Sequence, residues 1–284
     1  MARDTPQPYP IVVGTCKTYG SVVQLWHRAA ELFWPDAASR AILCTDSDPG
    51  ISDFPPNRVY ALEAGWCERL IACLETFEND LVAFVLDDYI LEAPVSQSGL
   101  TVLAKQMQSD PSIGVIYLTD IGLPAETKTR TGLFEVSSGP YSINSCPGLW
   151  RRKFLIETLK HFNDPWAWEA FAFGTPAARQ WRTVCWGPSL YNYSFKTGGL
   201  IYRGAISRVA LRQIEKMDAL DANLSELTGF DLEKESTAAK RTLAWKLRFL
   251  RTGWGVSAGT MMTFLWKGFQ SRRKIRKVSS GIDT

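Results

Sequence analysis

Two adjacent carboxylates, Asp87 and Asp88, follow the apolar run Leu81–Leu86. That run is short and rich in Val and Phe, which predicts a buried strand rather than part of a helix. In open α/β sheets, ligands bind beyond the carboxyl ends of the strands, so this pair is placed to hold Mg²⁺ or Mn²⁺ against a diphosphate. The alternative is that the two acids start a turn or cap the next segment.

A third acid, Glu169, lies in an aromatic segment with the sequence Asn-Asp-Pro-Trp-Ala-Trp-Glu. Asp164 is expected to cap a helical turn that begins at Pro165. A carboxylate among Trp and Phe side chains is expected to have a raised pKa, which suits a general base near neutral pH. The alternative is an ion pair between Glu169 and one of three arginines: Arg151, Arg152 or Arg179.

The start of the chain predicts a parallel α/β unit, with strands at 10–14 and 41–44 and a helix at 22–33 between them. Thr15 and Lys17 follow the first strand and Asp46 follows the second. All three are therefore expected at the sheet edge that carries Asp87 and Asp88, where a nucleotide could contact them. For each single residue, the alternative is a solvated loop.

Further elements are predicted along the chain. Amphipathic helices are expected at 66–77, 99–108 and 151–161, and a strand at 114–118. Residues 124–132 are polar and are expected to form a mobile loop. Tryptophan is favoured at ligand-stacking surfaces, so Trp150, Trp166 and Trp168 are candidates for stacking on a ligand, with the alternative that half or more of them belong to the core. Lys17, Arg151 and Arg203 are weaker candidates for phosphate contact.

Composition sets the class of the protein. The 284 residues suit one large α/β domain with or without an appendage. Only two histidines are present, which argues against a histidine triad or a histidine-rich zinc site. The six cysteines show no CxxC spacing and are expected to be reduced thiols. Residues 1–10 lack the apolar core of a signal peptide, so a cytoplasmic location is predicted.

The character of the sequence changes after residue 205, so we predict a catalytic domain at 1–205 and a helical, basic region at 206–284. Residues 237–277 contain eleven Lys or Arg and no Asp or Glu, interleaved with Trp, Phe, Leu and Met. This pattern is typical of a helix lying on an anionic membrane surface, here the inner face of the cell membrane. The alternative is a helical pair packed on the catalytic domain. Nucleic-acid binding is not predicted, because no recognition motif accompanies the charge.

Three motifs carry a resemblance over roughly residues 11–204: Leu-Asp-Asp-Tyr at 86–89, Pro-x-Leu-Trp at 147–150, and the segment ending at Glu169. Together they resemble a bacterial family of GT-A-type glycosyltransferases found among polysaccharide and lipopolysaccharide genes. The resemblance implies a GT-A-like (Rossmann-like), mixed and mainly parallel sheet flanked by helices. It also implies that Asp87 and Asp88 form the acidic motif for metal and nucleotide-sugar, and that Glu169 is the base of an inverting transfer.

The sequence departs from the family pattern in three places. Cys67 replaces a common Ser, the segment Asn-Ser-Cys-Pro at 144–147 replaces a Gln-Pro pair, and Ala167 stands where the family has another acid. The third departure leaves Glu169 as the single acid of its turn.

The predicted function is transfer of a sugar from a nucleoside-diphosphate donor to a glycan or lipid-linked acceptor, assisted by a divalent cation. Two alternatives stay open. One is a nucleotidyltransferase, although the segment Val-Val-Gly-Thr-Cys-Lys-Thr-Tyr-Gly at 12–20 is a poor glycine-rich phosphate loop. The other is a non-catalytic partner subunit of a polysaccharide assembly complex.

Overall fold

The computed structural model describes residues 9–52, 54–119, 121, 125–128, 132–187, 189–193, 199–202, 205–217, 227 and 242–279. Arg203, a candidate for phosphate contact, lies outside these residues.

Nine strands of the described residues form one sheet in the order β3-β2-β1-β4-β8-β5-β9-β7-β6, and two more form a small hairpin, β10-β11. The strands are β1 (Ile11–Gly14), β2 (Ile42–Thr45), β3 (Val59–Ala61), β4 (Leu81–Leu86), β5 (Ile113–Tyr117), β6 (Ala125–Lys128), β7 (Leu133–Val136), β8 (Gly148–Arg151), β9 (Arg182–Trp186), β10 (Ile201–Tyr202) and β11 (Ala205–Ile206).

The first four strands along the chain pair in parallel, in the spatial order β3-β2-β1-β4. Strand β8 is inserted antiparallel between β4 and β5, and β5 pairs in parallel with β9. Strand β7 is antiparallel to β9 and to β6. Most strands therefore point the same way, which confirms the predicted fold class of a mixed, mainly parallel, Rossmann-like sheet flanked by helices.

Helices cover both faces of the sheet. They are α1 (Gly20–Phe33), α2 (Pro35–Arg40), α3 (Trp66–Glu75), α4 (Gln97–Ser109), α5 (Arg152–Leu159), α6 (Pro165–Phe171), α7 (Pro176–Gln180), α8 (Arg208–Ile214), α9 (Leu243–Val256) and α10 (Ala258–Ser279).

Alternation along the strands gives two hydrophobic cores. Ile11 and Val13 of β1 belong to the first core, which α1, α2, α4 and α8 cover, whereas Val12 belongs to the second, which α3, α5 and α6 cover. Successive side chains of a strand point to opposite faces, so a strand that is apolar throughout must be buried on both sides. That is why the continuous apolar run of β4 specifies a central strand.

Two expectations about local structure were wrong. Residues 125–128, expected in a mobile loop, form β6 at the edge of the sheet, paired with β7. Arg151, expected to start a helix, is the last residue of β8, and α5 begins at Arg152.

The C-terminal helices α9 and α10 pack on α6. The ring of Phe171 in α6 lies 4.8 Å from that of Phe249 in α9 and 5.0 Å from that of Phe264 in α10. A Cβ on Gly253 would lie 2.7 Å from the Phe171 ring, so glycine permits this close approach. Helix α8, in contrast, contributes Ala210 and Ile214 to the first core. The predicted division at residue 205 stays a prediction.

Within the described residues, no helix combines the length and apolar character needed to cross a membrane.

Candidate active site at the carboxyl end of β4

Asp87 is buried where β4 meets the end of β1. Its backbone amide donates to the Gly14 carbonyl at 3.2 Å, and the Thr15 hydroxyl donates to its Oδ2 at 2.5 Å. The parallel register that sets Gly14 beside Leu86 produces this contact across 72 residues of sequence. The structure therefore brings together Thr15 and Asp87, as the sequence predicted.

Asp88 is covered by a distant segment that the sequence did not identify. The Leu200 amide donates to the Asp88 carbonyl at 2.7 Å. A Cβ on Gly199 would lie 2.2 Å from Asp88 Oδ2, so only glycine allows the chain to pass so close to the carboxylate. Oδ1 of Asp88 is buried and has no hydrogen-bond partner among the described residues.

The described part of the protein supplies no positively charged side chain to neutralise Asp87 and Asp88. Burial raises the pKa of Asp87 well above its ordinary value, and the neighbouring charge of Asp88 raises it further. Burial raises the pKa of Asp88 to about 7, the Ile201 amide lowers it, and the charge of Glu169 adds to the rise. No lysine or arginine of the described residues forms an ion pair with either acid. A bound cation would favour both ionised forms.

The pair fits a hard divalent cation in part. Carboxylate oxygens are the ligands that Mg²⁺ and Mn²⁺ prefer, and Asp88 Oδ1 is a buried acceptor without a donor. The described residues contain no cluster of three or more His, Cys, Asp or Glu side chains arranged to hold a metal ion. The protein would thus supply Asp87 and Asp88, while a diphosphate and water complete the shell, as is usual for Mg²⁺ bound with a phosphate substrate.

Glu169 reaches the same site from α6. The Asp164 side chain accepts from the Ala167 amide at 2.9 Å, with Pro165 at the first helical position, so the predicted cap is confirmed. The amide and hydroxyl of Ser145 both donate to Glu169 Oε1, at 2.9 and 2.5 Å. These two bonds fix the carboxylate, while Oε2 accepts no hydrogen bond within the described part of the chain.

The pKa of Glu169 is set by its burial and by its contacts with Ser145. Burial raises its pKa, and the two hydrogen bonds from Ser145 oppose that rise. The alternative of an ion pair with an arginine is not what the described residues show. Arg151 pairs with Asp80, Arg152 donates to the Asn79 carbonyl, and Arg179 donates to the Gly174 carbonyl.

The loop that carries Ser145 also presents an exposed tyrosine. Tyr141 has a φ of 66°, a left-handed conformation that is uncommon for a residue other than glycine, and its amide donates to the Glu169 carbonyl at 2.8 Å. The Asn144 side chain holds this turn by donating to the Tyr141 carbonyl and accepting from the Cys146 amide, both at 2.9 Å. Such backbone strain clusters at functional sites.

Of the predicted stacking residues, only one is accessible. Trp150 and Trp168 are fully buried in the second core, where their ring centroids lie 6.0 Å apart. The structure therefore corrects the assignment of Trp150 as a ligand contact, because its ring fills the space between β8 and α6. Trp166 is half exposed, as is Tyr141.

Arg151 is also corrected. Its guanidinium donates to Asp80, to the Met107 carbonyl at 2.7 Å and to the Ile113 carbonyl at 3.2 Å. Asp80 precedes β4, so Arg151 lies at the opposite end of the strand from Asp87 and Asp88. It joins β8 to the ends of α4 and β5 and does not reach the candidate site.

Lys17 and Asp46 meet at the predicted edge. The Lys17 amide donates to Asp46 Oδ1 at 2.7 Å, and the Ser47 amide donates to the same oxygen at 2.9 Å. These amides outweigh partial burial and lower the pKa of Asp46, with the charge of Arg69 adding to the effect. Arg69, which the sequence did not identify as a site residue, donates to the Thr15 carbonyl at 3.4 Å. Asp46 thus orders the two loops, and Lys17 is exposed beside them.

Comparison with known proteins adds little to this geometry. No family model matches the sequence, and no curated protein matches it. Seven solved chains match, among them CMP:2-keto-3-deoxy-manno-octonic acid synthetase complexed with CTP. That alignment covers 52% of this chain and 75% of that chain, at 16% identity and a TM-score of 0.32. A similarity this low carries no argument about function, which has to be inferred from the site.

Proposed function

We propose that this chain is a nucleotide-sugar-dependent enzyme, and specifically a glycosyltransferase that moves a sugar from a nucleoside-diphosphate donor to a glycan or lipid-linked acceptor. One observation carries the proposal. Asp87, which is buried, and Asp88, which is half-buried, form an acid pair at the carboxyl end of β4 without a cationic partner among the described residues. Glu169 lies close enough to raise the pKa of Asp88.

The donor would bind beyond the ends of β1, β2 and β4, where ligands of α/β sheets bind. Asp87 and Asp88 would hold Mg²⁺ or Mn²⁺, and a bound divalent cation supplies charge neutralisation for a leaving diphosphate. Thr15 and Asp46 keep the ends of β1 and β2 in place through their hydrogen bonds. Lys17 is exposed at this edge and is suited to a phosphate contact.

Glu169 would act as the base. Oε2 accepts the proton of the acceptor hydroxyl while that oxygen attacks the anomeric carbon. The new glycosidic bond forms as the bond from the anomeric carbon to the diphosphate oxygen breaks. Ser145 holds Oε1 and so fixes the direction in which Oε2 points. A positioned carboxylate of raised pKa contributes roughly 10²–10⁴-fold to such a step. Attack opposite the leaving group would invert the anomeric configuration.

The C-terminal helices suggest where the acceptor comes from. Leu247 and Trp254 of α9 are exposed apolar side chains, as are Met262, Leu265, Trp266 and Phe269 of α10. Spacings of seven residues on α9 and of three or four on α10 give each helix one apolar stripe. Lysines and arginines accompany these stripes, and residues 237–277 contain no acid. We propose that this surface lies on an anionic membrane, as basic amphipathic helices do.

The same helices contact the segments that hold the proposed base. Phe249 and Phe264 pack on Phe171 of α6, two residues after Glu169. Lys267 Nζ donates to the Ser138 carbonyl at 3.4 Å, close to the loop that carries Ser145. A lipid-linked acceptor would therefore approach from the side on which Glu169 is supported.

The function is tested by a thermal-shift screen of the purified chain against UDP-, GDP-, CMP- and dTDP-sugars, each with and without Mn²⁺. A ligand at about 100 times its dissociation constant stabilises the folded state by about 2.7 kcal/mol, which is measurable. We expect one nucleotide class to raise the melting temperature in a metal-dependent way. No shift with any donor would contradict the proposal and favour a non-catalytic partner subunit.

A second arm separates sugar transfer from nucleotidyl transfer. A nucleotidyltransferase consumes a nucleoside triphosphate and a sugar and releases pyrophosphate, whereas a glycosyltransferase releases a nucleoside phosphate from its sugar donor. Pyrophosphate release from a triphosphate and a sugar, without consumption of any sugar donor, would replace the proposal by that alternative.

The membrane contact has a matched control in the chain. Leu265 of α10 and Leu32 of α1 are each 46% exposed. We expect Leu265→Ser to reduce cosedimentation with vesicles of phosphatidylcholine and phosphatidylglycerol, because a buried Leu side chain contributes roughly 1.5–3 kcal/mol. Leu32→Ser should leave cosedimentation unchanged. Equal effects of the two substitutions would rule out a specific role for α10.

A further inference from the structure

A cavity of about 440 Å³ lies between α9 and the turn that follows α5, and none of its lining residues belongs to the candidate active site. Its lining residues are His161, Arg248, Arg251, Thr252, Gly255 and Val256. Cavities of roughly 300–1,000 Å³ are typical of small-molecule sites, so this one has room for a phosphate group together with the group it esterifies.

The lining is cationic and contains no acid. Arg248 and Arg251 lie three residues apart on α9, so their side chains project on the same side of the helix. Neither forms an ion pair within the described part of the chain. The nearest acid along α5, Glu157, is paired with Lys160 at 2.6 Å. Two unpaired guanidinium groups facing one cavity are suited to bidentate binding of phosphate oxygens.

The dipole of α9 does not favour an anion in this cavity. The last turn of α9 carries the partial negative charge of a helix C-terminus, which is about half an elementary charge and opposes an anion. Two full positive charges outweigh it. The attraction of the cavity for an anion therefore comes from Arg248 and Arg251.

The position of the cavity points to the kind of anion. On a helix of 3.6 residues per turn, Arg251 lies between the cavity side, with Arg248 and Gly255, and the exposed apolar stripe of Leu247 and Trp254. A phosphate bound in the cavity would thus lie beside a surface that suits acyl chains. An anionic headgroup joined to an apolar tail would satisfy both features.

We propose that this cavity is a phosphate-binding site, separate from the nucleotide-sugar site, which takes a phosphate monoester or diphosphate either free in solution or as a lipid headgroup. The proposal does not depend on the proposed transferase activity. It concerns residues that lie outside the acid pair and the Glu169 loop.

The test uses the full chain and two probes, inorganic pyrophosphate by isothermal titration calorimetry and phosphatidylcholine vesicles with or without phosphatidic acid by cosedimentation. Arg251→Gln and Arg248→Gln are compared with Lys246→Gln. Lys246 is exposed on the same helix and carries the same charge, but it does not line the cavity. All three positions are on the surface, so melting temperatures should be unchanged.

We expect each arginine substitution to weaken binding roughly tenfold or more, because a charge-assisted bidentate contact is lost. Lys246→Gln should weaken it less than about twofold. Arginine-dependent binding of pyrophosphate would identify a free-phosphate site, whereas arginine-dependent binding of phosphatidic acid vesicles alone would identify a headgroup site. Equal losses for Lys246→Gln and Arg251→Gln, or no binding of either probe, would overturn the proposal.

One further variant keeps this test apart from that of the proposed function. Asp88→Asn should remove metal-dependent binding of the nucleotide-sugar while pyrophosphate or vesicle binding at α9 persists. If Asp88→Asn abolished the arginine-dependent binding as well, the two sites would be one, and the cavity would not be a separate site.

Discussion

At the start of β4, Asp80 accepts a hydrogen bond from the guanidinium of Arg151, which also donates to two backbone carbonyls. At the end of the same strand, Asp87 is buried and Asp88 is half-buried, and neither forms an ion pair with the described lysines or arginines. The acids at the two ends, Asp80 and Asp87, are seven residues apart and lie in opposite electrostatic environments. Asp80 is exposed and paired, whereas the pair at the other end has raised pKa values.

The difference teaches how to separate structural charges from candidate functional ones. A charge that is paired within the chain does not require a bound ligand to neutralise it. The pair of Arg151 and Asp80 is of this kind and connects β4 and β8 to α4. A buried pair of like charges costs stability, because each acid is desolvated and repels the other. A bound divalent cation would offset that cost, so the unpaired end is where a ligand is expected.

The largest expected effect separates the two ends by activity. Asp88→Asn should lower metal-dependent sugar transfer by about 10³-fold, since it removes charge that holds the cation and the leaving diphosphate. Asp80→Asn should change turnover by less than about threefold. Both rates would be measured with the donor that gives a thermal shift. Comparable losses for the two variants would show that position on the strand does not decide function.

The sequence anticipated the unpaired end well. The apolar run predicted a strand that ends just before the two acids, as the structure shows. Thr15 and Asp46 were also predicted to lie at this edge of the sheet, and they do, because parallel strands place their carboxyl ends together. It could not anticipate Gly199 over Asp88, since that contact spans more than 100 residues and leaves no local pattern.

The sequence failed at the other end for a related reason. Arg151 and Trp150 lie in a four-residue strand inserted antiparallel between β4 and β5. In the sequence, a strand this short cannot be distinguished from the first turn of the helix that follows it directly, because its apolar residues continue the apolar pattern of the helix. Likewise, Ser145 binds Glu169 across 24 residues, a contact that only the folded loop creates.

The second prediction concerns the acid on α6. Glu169→Gln should lower turnover by roughly 10²-fold or more, because an amide cannot accept the hydroxyl proton. Metal-dependent donor binding should stay within about twofold, since Glu169 faces the acceptor in this scheme. Turnover would be followed at saturating donor, and binding by thermal shift.

Ser145→Ala is the milder companion of Glu169→Gln. It leaves the carboxylate in place but removes the hydroxyl that orients Oε1, so a loss of roughly tenfold in kcat is expected. Full turnover in Glu169→Gln would remove Glu169 from the role of base, whatever Ser145→Ala shows.

The third prediction places the effect of Arg151 in stability. Arg151→Met should lower the free energy of unfolding by about 2–3 kcal/mol, because two buried carbonyls lose the guanidinium N–H groups that donate hydrogen bonds to them. The KM for the nucleotide-sugar should not change, since the guanidinium lies at the opposite end of β4 from the acid pair. Urea unfolding and steady-state kinetics would check the two parts. A raised KM with unchanged stability would return Arg151 to the ligand site.

The smallest expected effect is a pH dependence of the metal-free protein. The pKa of Asp88 rises from an ordinary 3.8 to about 7 on folding. Between these values the folded state binds more protons than the unfolded state, so the free energy of unfolding falls as pH rises through this window. Asp88→Asn removes this titration. In EDTA at pH 8 it should therefore be more stable than the wild type.

The expected gain is about 1–2 kcal/mol, less than the whole shift corresponds to, because Asp88 is partly exposed and titrates together with Asp87. The gain should vanish at pH 4, where the carboxyl is protonated in the folded state. Thermal unfolding at both pH values measures it. A variant that is less stable than the wild type at pH 8 would show that Asp88 is compensated in the metal-free fold.

The central claim is that the unpaired acids at the end of β4 hold a divalent cation together with a diphosphate. Its most direct test is a Mn²⁺ titration followed by electron paramagnetic resonance. The titration is done in the presence of the nucleoside diphosphate that corresponds to the sugar donor identified by thermal shift. Three proteins are compared: the wild type, Asp88→Asn and Asp80→Asn. We predict one bound Mn²⁺ in the wild type and in Asp80→Asn, and at least tenfold weaker binding in Asp88→Asn. Equal Mn²⁺ binding by all three proteins would contradict the account.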